Sequence, residues 1–176
     1  MFRRRKLSAE LTPKLERDER VLAWAPIDGG GALVATNRGL WLPVDGAPRR
    51  LGWHEVHKAG WADGTLTLIA ADSAPLVPDS DISVSVDTAP ATYQLADPGN
   101  LPRRIRERVT ASVAYTSLHQ LDGGGAVRVV GRRVSGRDGL TWFVRYEGKV
   151  DPAAPEVIDA TTELVQTARD SINQGD

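Results

Sequence analysis

The stretch IDGGGALVATNRGLWLP (Ile27–Pro43) holds two short apolar runs separated by turn-forming residues, and its glycines decide how the chain is interpreted. Its pentapeptide DGGGA recurs in LDGGGAVRVVGRRV (Leu121–Val134). A phosphate-binding loop places glycines between a strand and a helix, so that backbone amides and the helix dipole converge on the anion. Neither copy precedes a helical pattern, and neither carries the Lys-Ser/Thr pair of a nucleotide loop. We therefore predict two turns between strands, in which glycine supplies positive φ angles; a remote duplication is the alternative.

Composition indicates a soluble globular protein of one domain or two small ones. The 176 residues are 41% hydrophobic and 26% charged, which are ordinary values. The absence of cysteine excludes disulfides and thiolate metal sites and fits a reducing compartment. No apolar run approaches the roughly 18 residues that span a bilayer, and the basic start lacks the apolar stretch of a secretory signal. We expect a cytoplasmic protein with no membrane span.

Charge is segregated along the chain although the net charge is only −1. Basic residues exceed acidic ones in 1–58 and 103–149, whereas 59–102 and 150–176 are acidic. Such blocks either pair with each other in the fold or face a charged partner. Both interpretations stay open at this point.

Short strands followed by one helix are predicted for the first two thirds of the chain. Thr12 and Pro13 favour an early helix over 8–20, as N-cap and first helical residue. Residues 71–81, rich in proline and aspartate, are predicted to form a loop. The helix is predicted over 101–112 from its apolar stripe. Seven runs bounded by turn residues are predicted strands: 21–27, 32–36, 40–42, 55–61, 65–69, 82–87 and 91–95.

A second unit is predicted beyond this helix. Three strands, at 113–121, 126–134 and 140–146, precede a helix that begins after Asp151-Pro152. The expected organisation is an N-terminal segment with a short helix over 1–19, a β-rich domain over 20–112, and a βββα extension over 113–176. The fold class is α+β.

Residues 20–112 resemble bacterial domains of the pleckstrin-homology (PH) fold. ALVATNRGLWL (Ala32–Leu42) is similar to the second and third strands of those domains, RRLGWHEVHKAGW (Arg49–Trp61) to the strand that follows, and GTLTL (Gly64–Leu68) to the next. The resemblance implies a seven-stranded β-barrel capped by a helix. Lipid-binding members carry Lys and Arg on the loop between the first two strands. Here that loop, Asp28–Gly31, is acidic, so we carry over no phosphoinositide site.

Residues capable of catalysis or metal binding do not form a recognisable motif. His54 and His57 are three apart in a predicted strand, where they would point to opposite faces and could not chelate one ion. No Gly-x-Ser-x-Gly nucleophile motif occurs, and the carboxylates Asp79 and Asp81 lie in a predicted polar loop. We expect no metal, no cofactor and no enzymatic activity. An enzyme with an unrecognised carboxylate-based site is one alternative.

Arginine clusters are the remaining candidate sites, either as solvated surface or as contacts for an anionic partner. The candidate binding residues are Arg103, Arg104, Arg106, Arg108, Arg132 and Arg133. Residues 101–173 also follow the helix–three strands–helix order of double-stranded RNA-binding domains, but the last helix begins with acidic residues, which argues against RNA. The function we expect is a non-enzymatic binding or scaffolding module for a protein or anionic partner. A nucleic-acid or ribosome-associated protein is the other alternative, and the oligomeric state is left open.

Overall fold

The computed structural model describes residues 6–44 and 47–175 and has an α+β fold. The chain divides into two compact units. Of the described residues, 6–44, 47–70 and 89–110 belong to the first unit, and 71–88 and 111–175 belong to the second. This division differs from the expected boundary at 112, because residues 71–88 group with the C-terminal part of the chain.

The first unit contains two antiparallel sheets and a helix. The second sheet has β6 (Thr65–Pro75) at its centre, paired through its first half with β5 (Val56–Ala62) and β8 (Ala91–Gln94). Helix α1 follows at Leu101–Ser112. Four strands form the first sheet in chain order: β1 (Val21–Pro26), β2 (Ala32–Thr36), β3 (Gly39–Leu42) and β4 (Arg49–Gly52). Three strands form the second: β5 (Val56–Ala62), β6 (Thr65–Pro75) and β8 (Ala91–Gln94).

One hydrophobic core joins both sheets of the first unit to α1. Leu33 and Leu40 come from the first sheet, Val56 begins the second, and Leu101 and Ile105 come from the helix; all five are fully buried. Burying an aliphatic side chain of this size contributes about 1.5–3 kcal/mol. The apolar stripe of the helix therefore holds it against the sheets.

The second unit has a mixed sheet covered by a helix. The second half of β6 pairs with β7 (Ile82–Asp87), which runs parallel to β11 (Thr141–Glu147). The sheet continues antiparallel through β10 (Ala126–Arg132) to β9 (Val113–Gln120). Helix α2 (Pro155–Asn173) packs its buried residues against this sheet, and Tyr146 and Thr161 share a hydroxyl hydrogen bond of 2.8 Å.

Both DGGGA stretches form the turns of β-hairpins, as predicted. The first joins β1 to β2, and the second joins β9 to β10. The hydrogen bonds match: Ile27 N–H donates to the Gly31 carbonyl and Leu121 N–H to the Gly125 carbonyl, each at 3.0 Å. Gly31 and Gly125 both have positive φ, at 78° and 74°. The two turns are therefore closed by the same backbone hydrogen bond, although Gly29 has a positive φ of 94° and the equivalent Gly123 does not have a positive φ.

The early helix predicted over 8–20 is wrong. Only Ala9–Leu11 forms a 3₁₀ turn, and residues 12–20 have no helix. The reason is Glu19, whose side chain is fully buried and accepts hydrogen bonds from β2, β3 and β4. A helix over this segment would compete with those contacts, so tertiary bonding overrides the local signal.

The strand predicted over 55–61 started one residue too early, because Glu55 belongs to a turn and the strand begins at Val56. Trp53–Glu55 is a 3₁₀ turn in which Glu55 accepts a hydrogen bond from Gly52 N–H at 2.7 Å. The buried Trp53 ring donates from Nε1 to the Thr36 carbonyl at 3.0 Å. The chain therefore forms β4 and β5 around this turn, and the described part of 20–112 holds eight strands, where seven were predicted. Residues 71–75 also continue β6, where a loop was predicted.

Candidate functional site

Three arginines of α1 lie on its exposed side. The side chains of Arg103 and Arg104 are 64% and 41% exposed, and both form ion pairs with Glu107, at 2.7 and 3.2 Å. Arg106 is exposed and makes no ion pair with any residue that the structure describes. Three arginines and one glutamate thus lie on this part of the helix, which leaves it positively charged.

Arg108 has a different environment from the other arginines of α1. Its side chain is partly buried, and Nη2 donates to the backbone carbonyl of Asn37 at 2.6 Å. This bond ties the helix to the turn between β2 and β3. Arg108 therefore stabilises the first unit. Its guanidinium is already engaged by a carbonyl of the protein, in contrast to the exposed arginines of the same helix.

The two remaining candidates, Arg132 and Arg133, belong to the second unit. Arg132 is buried, and its Nη1 donates to the Ser112 hydroxyl at 2.8 Å. Burial lowers the pKa of Arg132, and the positive charge of Arg145 lowers it further. Arg133 is exposed and donates to the Ala111 carbonyl at 3.2 Å. Burial makes Arg132 a structural residue and not a surface contact.

A cavity of about 1160 Å³ lies beside α1 in the first unit. Its walls are the end strand β1, the segment around Lys6 and Leu7, and the start of α1. Leu22 and Trp24 supply apolar surface, while Lys6 and Arg104 supply positive charge. Its lining combines apolar walls with a few polar groups, as ligand-binding sites do.

Arg104, which lines this cavity, also contains a buried hydrogen-bond donor without a partner in the described part of the chain. Its Nη1 reaches Glu107, but its Nε is buried without an acceptor among the described residues. Leaving a buried donor unsatisfied costs about 1–3 kcal/mol. Sequence reasoning identified Arg104 from charge alone, and no sequence signal indicates the state of its Nε.

A second cavity of about 340 Å³ adjoins the first. Gly99 borders both, and the smaller one is also lined by Trp61, Arg103, Arg106 and Glu107. The three exposed arginines of α1 therefore border two neighbouring cavities. The sequence pattern placed these arginines outside the apolar stripe, but it contained no signal for the cavities, which are formed by residues distant in sequence.

Glu19 and Asp81 are held by structural contacts, whereas Asp79 lies in a turn. Glu19 accepts hydrogen bonds from Thr36, Trp41 and Arg50. Asp81 forms an ion pair of 2.8 Å with Arg169. Asp79 has a positive φ of 62° in the turn after Val77. Of the two loop carboxylates considered for acid–base chemistry, Asp81 is thus occupied by an arginine.

The two histidines considered for metal binding lie in different elements. His54 is in the 3₁₀ turn at Trp53–Glu55, and His57 is in β5. Across 6–44 and 47–175, His, Cys, Asp and Glu form no group of three or more that could hold a metal ion.

Helices that could cross a membrane are also lacking within the described ranges, since neither α1 nor α2 has the required apolar length.

No family model matches the chain, and no curated protein and no solved structure is significantly similar to it.

Proposed function

We propose that the protein is a non-enzymatic binding module whose first unit is a PH-like domain. Support comes from the arrangement of that unit: four strands in one antiparallel sheet, three in a second, and a following helix packed into their common core. PH domains have the same order of elements. The seven strands of this unit include β4 and exclude β7. The seven strands predicted from the sequence instead included 82–87, which forms β7, and had no strand at the position of β4.

The proposed ligand is an acidic segment of a partner protein, bound along the two cavities beside α1. The observation that carries this proposal is that Arg103, Arg104 and Arg106 border adjoining cavities, with only Glu107 to balance them on that surface of the helix. Acidic side chains would pair with the arginines, and apolar ones would contact Leu22. Charge complementarity of this kind steers association and sets register.

A protein partner is favoured over nucleic acid because the positive surface is interrupted. Glu107 lies among the arginines, and Asp97 lines the larger cavity. A phosphate backbone requires a continuous row of cations, and its binding falls steeply with salt. The apolar walls of the cavity also suit side chains better than a sugar–phosphate chain. A cytoplasmic location remains part of this proposal, supported by the cysteine-free sequence.

Fluorescence anisotropy with a labelled peptide of alternating Glu and Leu tests this proposal. We expect the wild-type protein to bind it, and the double change Arg104→Glu, Arg106→Glu to weaken binding at least about tenfold, equivalent to 1.4 kcal/mol. Arg137→Glu, outside the two cavities, is the control. Arg137 is exposed in the second unit and makes no ion pair with a described residue. Melting curves establish that each variant is folded.

Two comparison ligands separate the alternatives. A Lys–Leu peptide of the same length should not bind, because its charge matches that of the arginines. Labelled oligouridine should bind more weakly than the acidic peptide. Tighter binding of oligouridine, lost in the double variant, would replace the peptide proposal with the nucleic-acid one. Equal loss in the Arg137→Glu control would show that net charge and not this site governs binding.

A further inference from the structure

One wall of the larger cavity is a segment, residues 6–12, that makes no polar contact with the rest of the first unit in the described part of the chain. Lys6 and Thr12 line the cavity from this segment. Its hydrogen bonds are internal: the Ser8 carbonyl accepts from Leu11 N–H at 3.2 Å and from the Thr12 hydroxyl at 2.7 Å. Because none of these bonds reaches β1 or α1, the segment can move away from the cavity without breaking a hydrogen bond to either.

Apolar packing of the segment is slight as well. Leu7 and Leu11 are partly buried, but neither is among the side chains that pack into the described core of the first unit. The remaining residues of the segment are exposed. Local opening costs little free energy where few apolar contacts are buried. This wall of the cavity can therefore move while both sheets of the first unit stay folded.

The chain that follows the segment is anchored. Pro13 is buried, and its ring fixes φ at about −65°. Asp18 pairs with Arg38, in the turn between β2 and β3, at 2.8 Å, and Glu19 pairs with Arg50 of β4 at 2.6 Å. Movement of the segment therefore ends at Pro13, and the chain beyond it stays on the first sheet.

We propose that residues 6–12 are a lid that closes over the ligand of the larger cavity and places Lys6 against an acidic side chain of that ligand. The inference rests on the proposed function, since it adds a contact to the same site. Lys6 is exposed and forms no ion pair with a described residue. An acidic ligand gives this lysine a partner, so the ligand interacts better with a closed lid than with an open one. Such a difference is what allows a ligand to shift a conformational equilibrium.

The lining of the cavity couples closure to a ligand that is both acidic and apolar. Lys6 on the lid and Arg104 on α1 give two walls of one cavity the same charge. Like charges disfavour closure until an anionic group lies between them. Leu7 of the lid lines the cavity together with Leu22 of β1, so an apolar ligand side chain can contact both. Removing that apolar surface from water favours the closed lid further.

Amide hydrogen exchange of the full chain, followed by NMR with and without the Glu–Leu peptide, tests the lid. In the free protein, we expect the amides of Leu11 and Thr12 to exchange at least about a hundredfold faster than that of Leu33, which is fully buried in β2. Saturating peptide should slow the two lid amides at least about threefold, because the closed lid becomes the major state. Amides of the exposed turn at 136–139, in the second unit, are the control and should not change.

A pair of lysine variants tests the contact made by the lid. Lys6→Glu should raise the dissociation constant of the Glu–Leu peptide about three- to tenfold, because an attractive pair becomes a repulsive one. Lys14→Glu is the matched control. It makes the same charge change beyond Pro13, at an exposed residue that lines neither cavity, and it should leave the dissociation constant within about a factor of two.

Three results would overturn the lid. They are lid amides that exchange as slowly as that of Leu33 in the free protein, peptide binding that leaves their exchange unchanged, and equal effects of Lys6→Glu and Lys14→Glu. The last two leave the peptide site itself in place, because the peptide still binds. A wild type that does not bind the peptide overturns both proposals, so the two failures are distinguishable.

Discussion

The Glu19 carboxylate accepts a hydrogen bond from the Arg50 guanidinium at 2.6 Å, although Glu19 lies in a segment without regular structure. The same carboxylate accepts from the Thr36 hydroxyl at 2.6 Å, from Trp41 Nε1–H at 2.9 Å and from Glu16 N–H at 3.1 Å. Its side chain is completely inaccessible. These four donors hold the segment before β1 against the first sheet.

Glu19→Gln should destabilise the protein by about 1.5–3 kcal/mol, because hydrogen bonds to a charged group are lost. The amide that replaces the carboxylate also brings two donors into a site already occupied by donors. Urea denaturation gives the free energy of unfolding. Glu10→Gln is the control, since Glu10 is exposed. An effect of Glu19→Gln no larger than that of the control would contradict the structural role.

The contribution of Glu19 should disappear in acid. Burial raises the pKa of Glu19, but the hydrogen bonds from Thr36, Trp41 and Glu16, with the charge of Arg50, lower it more, so the pKa lies below its ordinary 4.5. A lowered pKa in the folded state means that the stabilisation is complete above the unfolded pKa and is lost as the pH falls through the folded one. We expect the difference in unfolding free energy between wild type and Glu19→Gln to shrink from about pH 5 downward. A difference that stays constant between about pH 6 and pH 3 would refute this linkage.

Gly125→Ala should be much more destabilising than Gly123→Ala, although both lie in one turn. Gly125 has a φ of 74°, and an added Cβ would clash with Val150 Cγ2 and lie 2.8 Å from the Glu147 carbonyl oxygen. A Cβ on Gly123 would have no atom within 4 Å. Left-handed strain alone costs about 1–3 kcal/mol, and the close contacts add to it. Thermal melts of both variants test this, and equal melting temperatures would exclude the hairpin explanation.

Ile105→Asp should unfold the first unit or destabilise it by more than about 4 kcal/mol, because it puts a charge into the core. Arg106→Asp, one residue further along α1, should change stability by no more than about 0.5 kcal/mol. Ile105 is fully buried, whereas Arg106 is exposed. Chemical denaturation followed by tryptophan fluorescence gives both values. Similar losses for the two variants would mean that α1 presents the opposite face to the core.

Elements with strong local patterns were predicted correctly. The stripe of Leu101 and Ile105 predicted α1, and the alternation in 82–87 predicted β7. The candidate site was predicted only in part. Arg103, Arg104 and Arg106 were recognised as exposed cations, but the same reasoning grouped them with Arg108, which binds the Asn37 carbonyl. Helical spacing identifies which side of a helix is polar. It contains no information about which backbone carbonyl of another segment an arginine on that side will contact.

The sequence by itself determined the two glycine hairpins and the apolar stripes of the helices, because backbone φ preferences and amphipathic periodicity are local properties. Only the tertiary structure decided which charged residues are buried. Glu19 meets Thr36 17 residues away and Arg50 31 residues away, and Arg132 meets Ser112 20 residues away. A charge enters the interior only where partners from distant strands converge on it. That convergence converted a predicted helix over 8–20 into a segment bound to a sheet, and one predicted surface arginine into a buried one.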